Sequence, residues 1–293
     1  MKSGFVSVVG RTNAGKSTLV NSIIGEKVAI VSDKPQTTRY RIMGILNAPD
    51  MQIVFTDTPG VHEPKNKLGN FMIKEAKESI KETDLVLLVV EPKANVGRAE
   101  KNILDSLKDK KIPVILVINK IDIIKKEDLF PIIDVYSKYY PFETVIPISA
   151  RKKDGTDILL SEIEKYMIEG PKFFPDDIVT DAPKKQRIAE MVREKLLWSL
   201  EKEVPHGIAI EVNNLDETEK KVTYDVTIYC EKQSHKGIII GKSGTLLKEA
   251  GIRARKDIER LTGKKVYLNL WVKVKEGWRD NDFLIKNFGF SEE

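Results

Sequence analysis

The run GRTNAGKS, Gly10 to Ser17, has residue types and spacing that can do chemistry. It fits G-x-x-x-x-G-K-[ST] and lies between an apolar stretch, FVSVV, and a helical one, KSTLVNSII. That context suits a phosphate cradle. Gly10 and Gly15 let backbone N–H groups turn inward around phosphate oxygens, with Asn13, Ala14 and Thr18 completing the wall. Lys16 reaches terminal phosphates, the Ser17 hydroxyl can hold Mg²⁺, and the following helix aims its positive end at the anion.

Three later motifs each follow an apolar run. DTPG, Asp57 to Gly60, offers a carboxylate for Mg²⁺ and the Gly60 N–H for a γ-phosphate. NKID, Asn119 to Asp122, makes Asn119 and Lys120 expected nucleotide contacts. The Asp122 carboxylate accepts two hydrogen bonds from guanine but would be left unpaired against adenine. ISAR follows, with Ser149 and a backbone N–H at Ala150 suited to the guanine oxygen. SDKPQTTRYR, from Ser32, reads as a switch loop in which Thr38 gives a hydroxyl to Mg²⁺ when a γ-phosphate is present. The expected metal set is Ser17, Thr38 and Asp57. The groups expected to act on the phosphates during catalysis are Asn13, Lys16, Thr38 and Gly60.

A second Gly-Lys-Ser, at Gly241 to Ser243, has no glycine five places before Gly241 and no strand leading into it. It is closed by Gly244, so GKSG reads as the G-x-x-G loop of a KH domain, which clamps about four nucleotides of single-stranded RNA. Lys236, Gly237, Ile240, Gly241, Lys242, Ser243, Gly244, Lys248 and Arg253 are the expected RNA contacts. From Lys232 to Lys265 there are ten Lys or Arg against three acids, a local basic face. Tyr267 and Trp271 alternate outward from VYLNLWVKV. Such rings either stack on bases or pack under a helix.

The elements that must hold these motifs follow from periodicity. Strands are predicted at 5–9, 51–56, 85–90, 114–119 and 144–147. LVLLVV and VILVIN are apolar throughout, as strands buried on both faces should be. Alternation with helices such as FMIKEAKESIKE gives a mostly parallel sheet with helices on both faces, and such sheets bind ligands at their carboxyl ends. The stretch GPKFFPDDIVTDAP reads as a linker. Beyond it come an amphipathic helix (Ile188, Val192, Leu196, Leu200), two alternating strands, a short helix, GKSG, a second helix and a last strand. The expected division is 1–170, a linker at 171–184, and 185–293 with a C-terminal tail.

Composition sets the limits. At 293 residues the chain suits two domains at about 150 residues each. It is 32 % charged and 41 % hydrophobic with a net charge of +5, which permits an anionic partner without demanding one. A single cysteine, Cys230, leaves no internal disulfide to form and fits a reducing cytosol. No apolar run approaches the ~20 residues of a membrane span. Three scattered histidines and the lack of a Cys pair speak against zinc, and no G-x-S-x-G elbow is present.

The set GRTNAGKS, PQTTR, DTPGVH, NKID, SA, PH at Pro205–His206, HKGIIIGKSG and LWVKVKEGWRDN resembles the Era family of GTPases along nearly the whole chain. The resemblance implies an α/β P-loop GTPase domain followed by an α+β KH domain of type II. It implies GTP or GDP with Mg²⁺ as ligands, and binding to small-subunit ribosomal RNA near its 3′ end in the assembly of the small ribosomal subunit. Peripheral association with the inner membrane is also attributed to the family. A cytoplasmic monomer is expected. The alternative is a GTPase acting in another RNA-processing or RNA-modification step. The family usually has Pro-Asn-Val where this chain has Thr12-Asn13-Ala14. Val61 stands where many GTPases place a water-positioning Gln. Slow hydrolysis aided by K⁺ held partly by Asn13 is therefore expected, since related GTPases use such an Asn.

Overall fold

The computed structural model describes residues 1–60, 64, 66–81 and 83–290, without the side chains of 214–216. The chain divides into two compact units. The first takes Met1–Val31, the stretch from Thr38 through DTPG, and Met72–Asp181; the second takes Ala182 onward with Ser32–Thr37 and Pro64–Phe71.

The elements of the early chain are β1 (Lys2–Val9), α1 (Lys16–Ile24), β2 (Ile42–Ala48), β3 (Met51–Asp57), α2 (Lys67–Glu78), β4 (Leu85–Val90), α3 (Arg98–Leu107), β5 (Val114–Ile118), α4 (Leu129–Tyr139), β6 (Thr144–Pro147), α5 (Thr156–Glu164) and β7 (Ile168–Glu169). The sheet order is β2-β3-β1-β4-β5-β6, with β7 beside the start of β1. β1, β3, β4, β5 and β6 run parallel, and β2 is antiparallel to β3. All six residues of β4 are wholly buried because both faces are covered. Leu85, Leu87 and Val89 join a core containing Leu19 and Val20 of α1 and Leu159 of α5. Val86, Leu88 and Val90 join one containing Leu104 of α3 and Tyr136 of α4.

The sequence reading misses β2. Its burial pattern is uneven, and Gly44 and Asn47 weaken the strand signal. Gly44 is needed there: a Cβ would lie 2.3 Å from Ile24 Cδ1. The stretch read as a linker is also more than a spacer. Gln52, fully buried, accepts from the Phe173 and Phe174 N–H groups at 2.7 and 3.0 Å and donates to the Phe174 carbonyl at 2.8 Å. Asn47 donates to the carbonyls of Asp176 and Ile178. Ile45 N–H donates to Val179 O at 2.9 Å, and Gly44 bridges Thr180. Residues 173–181 thus form a strap along the outer edge of β2, covering backbone groups an edge strand would otherwise expose.

The later chain forms α6 (Lys184–Ser199), β8 (Ala209–Glu217), β9 (Lys221–Cys230), α7 (Gln233–Ile240), α8 (Thr245–Thr262), β10 (Lys265–Val274) and α9 (Asp282–Asn287). This α-β-β-α-α-β series builds a sheet in the order β10-β9-β8, parallel between β9 and β10 and antiparallel between β8 and β9. Alternate residues of β9, from Val222 to Cys230, are buried, as are Ala250, Ala254 and Ile258 of α8. Ile188, Val192, Leu196 and Leu200 form the expected buried stripe on α6. Four of its charged residues, Glu190, Arg193, Glu194 and Lys195, are buried too. Arg193 pairs with Glu190, and Lys195 bridges Glu194 at 2.7 Å and Asp257 at 2.6 Å. Buried charges are tolerated only when paired in this way. After β10 the chain folds back. Trp278 is fully buried, donates Nε1–H to Gly207 O at 2.9 Å and packs on the rings of Phe288 and Phe290. Among the described residues no helix is long and apolar enough to cross a membrane.

Candidate functional site

The phosphate loop runs from the carboxyl end of β1 into α1. Gly10, Asn13 and Gly15 have φ of 150°, 64° and 96°, so the backbone repeatedly enters the left-handed region. A Cβ on Gly15 would lie 2.2 Å from Asn119 Nδ2, and one on Gly10 2.2 Å from Val89 O, so only glycine fits either place. Lys16, nearly fully buried, donates to Gly10 O at 3.2 Å and Arg11 O at 3.0 Å. Burial pulls its ammonium down to about 8, opposed by the Asp57 carboxylate. Thr18 lies one residue after Ser17 in the first turn of α1.

Ser17, Thr38 and Asp57 come together. Ser17 Oγ donates to Asp57 Oδ2 at 2.6 Å and lies 2.9 Å from Thr38 Oγ1, and Thr38 Oγ1 donates to Asp57 Oδ2 at 3.3 Å. Of the threonine pair, Thr37 turns away and donates to Lys34 O at 2.6 Å. Asp57 is fully buried; burial pushes its carboxyl up, against the pull of Lys16, Ser17 and Thr38. Its Oδ1 has no hydrogen-bond partner among the described residues. Two hydroxyls and a carboxylate with a buried orphan oxygen fit a hard divalent cation such as Mg²⁺. Gly60 lies against the phosphate loop: a Cβ there would be 2.7 Å from Thr12 N and Cα. Val61 falls outside the described residues.

The base-reading loop is tied to the same cradle. Buried Asn119 donates Nδ2–H to Ala14 O at 2.9 Å, and its Oδ1 accepts from Lys120 N at 2.8 Å and Ala150 N at 3.0 Å. One carboxamide therefore joins the phosphate loop, NKID and the SA motif. Lys120, at φ 65°, donates Nζ–H to Asn13 O at 2.6 Å and to Glu91 Oε1 at 2.7 Å. Asp122 is exposed and accepts from Ser149 Oγ at 2.7 Å, a bond that holds its carboxyl below the usual range. The burial that would penalise adenine must therefore come from the base itself. Glu91 was not among the sequence candidates; its position just after a fully apolar strand was the available signal.

In the second unit Gly241, Ser243 and Gly244 have φ of 74°, 52° and 77°, forming a tight loop that ends α7 and starts α8. Lys242 and Ser243 are exposed. A groove of about 440 Å³ runs beside it, between α8 and the edge strand β10. Of the expected RNA contacts, Gly244 and Lys248 line it; Leu247, Gly251, Ile252 and Arg255 line it as well and were not anticipated. Lys236, Gly237 and Ile240 lie on α7, outside the lining, and Gly237 has open space where a Cβ would sit. Arg253 also lies outside the lining, 3.8 Å from Glu249. Tyr267 and Trp271 are 46 % and 61 % exposed, so they do not pack under a helix.

This architecture defines a P-loop GTPase domain joined to a KH domain. A family model described as a 50S ribosome-binding GTPase matches residues 5–120, and a KH domain model matches residues 203–279. The chain is 52 % identical to the GTPase Era of Ruminiclostridium cellulolyticum over 99 % of this chain and 97 % of that protein. It is 51 % identical to the GTPase Era of Clostridioides difficile, covering 100 % and 99 %. A crystal structure of Era in complex with MgGDPNP and nucleotides 1506–1542 of 16S ribosomal RNA matches with a TM-score of 0.96, 40 % identity and full coverage of both chains. A single-substitution variant of Aquifex aeolicus Era bound to GDP·AlF4⁻ matches equally, with a TM-score of 0.96 and 40 % identity. The chain belongs to the Era family of GTPases.

Asn119→Ala removes the carboxamide that ties three motifs. Leaving buried backbone groups unpaired should weaken GDP binding by about 10–100-fold. Titration with fluorescent GDP checks this; an affinity within about twofold of the parent would contradict the role given to Asn119.

Proposed function

We propose that this protein is a GTP-binding and GTP-hydrolysing switch that binds small-subunit ribosomal RNA near its 3′ end and assists assembly of the small subunit. The observation that carries the RNA reading is the groove between α8 and β10, entered at the GKSG loop and bordered by Lys248 and Arg255. The solved Era structure that is 40 % identical over its whole length is a complex with nucleotides 1506–1542 of 16S ribosomal RNA. The family model described by the 50S subunit spans residues 5–120, which carry none of these groove residues, so it does not select the subunit.

In the nucleotide half, the loop amides of GRTNAGKS would hold the phosphates, Lys16 would leave its carbonyl partners for them, and Asp122 would read guanine. Ser17, Thr38 and Asp57 would hold Mg²⁺, which supplies charge neutralisation at the phosphoryl oxygens. Catalysis in this reading is positioning and electrostatics, with water as acceptor. A K⁺ held partly by Asn13, whose carbonyl accepts from Lys120, is part of this reading. Turnover should fall on replacing K⁺ with Na⁺, and Asn13→Ala should erase the difference; equal parent rates in both salts would exclude the ion.

Support for a switch comes from two segments grouped with the second unit. Ser32–Thr37 immediately precedes Thr38, and Arg193 donates to Thr37 O. Pro64–Phe71 follows DTPG, and Lys67 N–H donates to Asp280 Oδ1 at 3.1 Å. Movement of Thr38 toward a γ-phosphate would pull on residues packed with the RNA-binding unit.

The RNA reading is tested with a labelled fragment from the 3′ end of small-subunit ribosomal RNA. Lys242→Asp with Ser243→Asp should cost about tenfold or more in affinity, and binding should weaken steeply with salt as counterions are released. A double variant that binds like the parent would overturn the assignment of GKSG as the clamp.

A further inference from the structure

Glu91 follows β4 directly, at the carboxyl end of the sheet. The residue before it, Val90, accepts Asn119 N–H through its carbonyl at 2.9 Å, so the backbone places Glu91 beside the NKID loop. Its carboxylate is 17 % exposed and takes three cationic partners. Oε1 accepts from Lys120 at 2.7 Å; Oε2 accepts from Arg11 at 3.1 Å and from Lys93 at 2.9 Å. Lys120 continues to Asn13 O at 2.6 Å, and Arg11 O is one of the two carbonyls that accept from Lys16. One carboxylate therefore touches the base-reading loop and the variable part of the phosphate loop. Burial raises the Glu91 pKa, but the bonds from Lys120 and Lys93 outweigh it and hold the group at about 2, so it is a full negative charge.

We propose that Glu91 is a positioning residue for nucleotide retention, fixing the spacing between the base-reading loop and the phosphate loop so that guanine and phosphates are gripped together. A ligand that spans both loops loses less freedom when their separation is already set. Glu91 touches neither the Ser17–Thr38–Asp57 cluster nor Gly60 and reaches Asn13 and Lys16 only through the backbone carbonyls of Asn13 and Arg11, so its loss should fall mainly on binding and little on the chemical step. Glu91→Gln keeps the shape but removes the charge, and one amide oxygen cannot serve Lys120, Arg11 and Lys93 together.

The proposal rests on the guanine-nucleotide reading above. The test measures release of fluorescent GDP and steady-state GTP turnover for the parent, Glu91→Gln, Lys120→Met and the double variant. Thermal unfolding without nucleotide checks that each is folded. Glu91→Gln should speed GDP release about tenfold and raise KM by a similar factor, with kcat within about twofold. The double variant should release GDP more slowly than the product of the two single effects, because the Glu91–Lys120 contact is lost in both single variants. Additive effects, unchanged release in Glu91→Gln, or a fall in kcat without a rise in KM would overturn the proposal. If Glu91→Gln does not fold, Arg11→Met and Lys120→Met replace it, and unchanged GDP release in both overturns the proposal. A parent chain that does not bind GDP would instead overturn the nucleotide reading itself.

Discussion

The nucleotide half of this molecule is arranged around one buried carboxylate. Asp57, at the end of β3, has no solvent exposure, and leaving an ionised carboxylate in such a place is costly unless cations and donors surround it. Ser17 and Thr38 supply hydroxyls to it, and Lys16 supplies a nearby charge. The four groups come from three pieces of chain: Lys16 and Ser17 from the start of α1, Thr38 from the loop before β2, and Asp57 from β3. A parallel sheet with β3 beside β1 is what brings them together. The glycines of the loop, the Asn119 tie and the closeness of Gly60 to Thr12 keep that meeting point compact.

The two copies of Gly-Lys-Ser show how context sets the use of a tripeptide. At Gly15 the chain turns at φ 96° and α1 begins with Lys16, which is buried against loop carbonyls. At Gly241 the turn at φ 74° is followed by two more left-handed residues, and α8 begins only at Thr245. Lys242 is left outside, exposed. The first copy is thus a tight loop folded over its own lysine, and the second is an exposed loop beside a groove. The flanking residues carry the difference: a strand and an early glycine before the first, a short helix and a closing glycine around the second.

Much of this was legible in the sequence because it depends on local rules. LVLLVV and VILVI are short, apolar throughout and rich in β-branched residues, as doubly buried strands are, and motifs at strand ends converge at one edge of a parallel sheet. What was missed depends on distant partners. Gln52 fastens Phe173 and Phe174, yet a Pro-rich run with few periodic apolars looks like a spacer. The charged face of α6 looks solvated until Glu190 is paired with Arg193 and Glu194 with Lys195. Glu91 carries no motif, and its meaning appears only when Arg11, Lys93 and Lys120 converge on it. Arg255 and Gly251 join the groove because β10 runs beside α8, a pairing that helix periodicity alone does not reveal.

In the proposed switch, nucleotide and RNA are linked through Thr38, which donates to Asp57 while the carbonyl of the preceding residue accepts from Arg193. The measurement that tests this most directly is RNA affinity with a non-hydrolysable GTP analogue and with GDP, for the parent and for Thr38→Ala. The account predicts that the parent distinguishes the two nucleotides and that Thr38→Ala binds RNA equally in both states. A Thr38→Ala protein that still binds nucleotide and keeps the parent's full difference would contradict it.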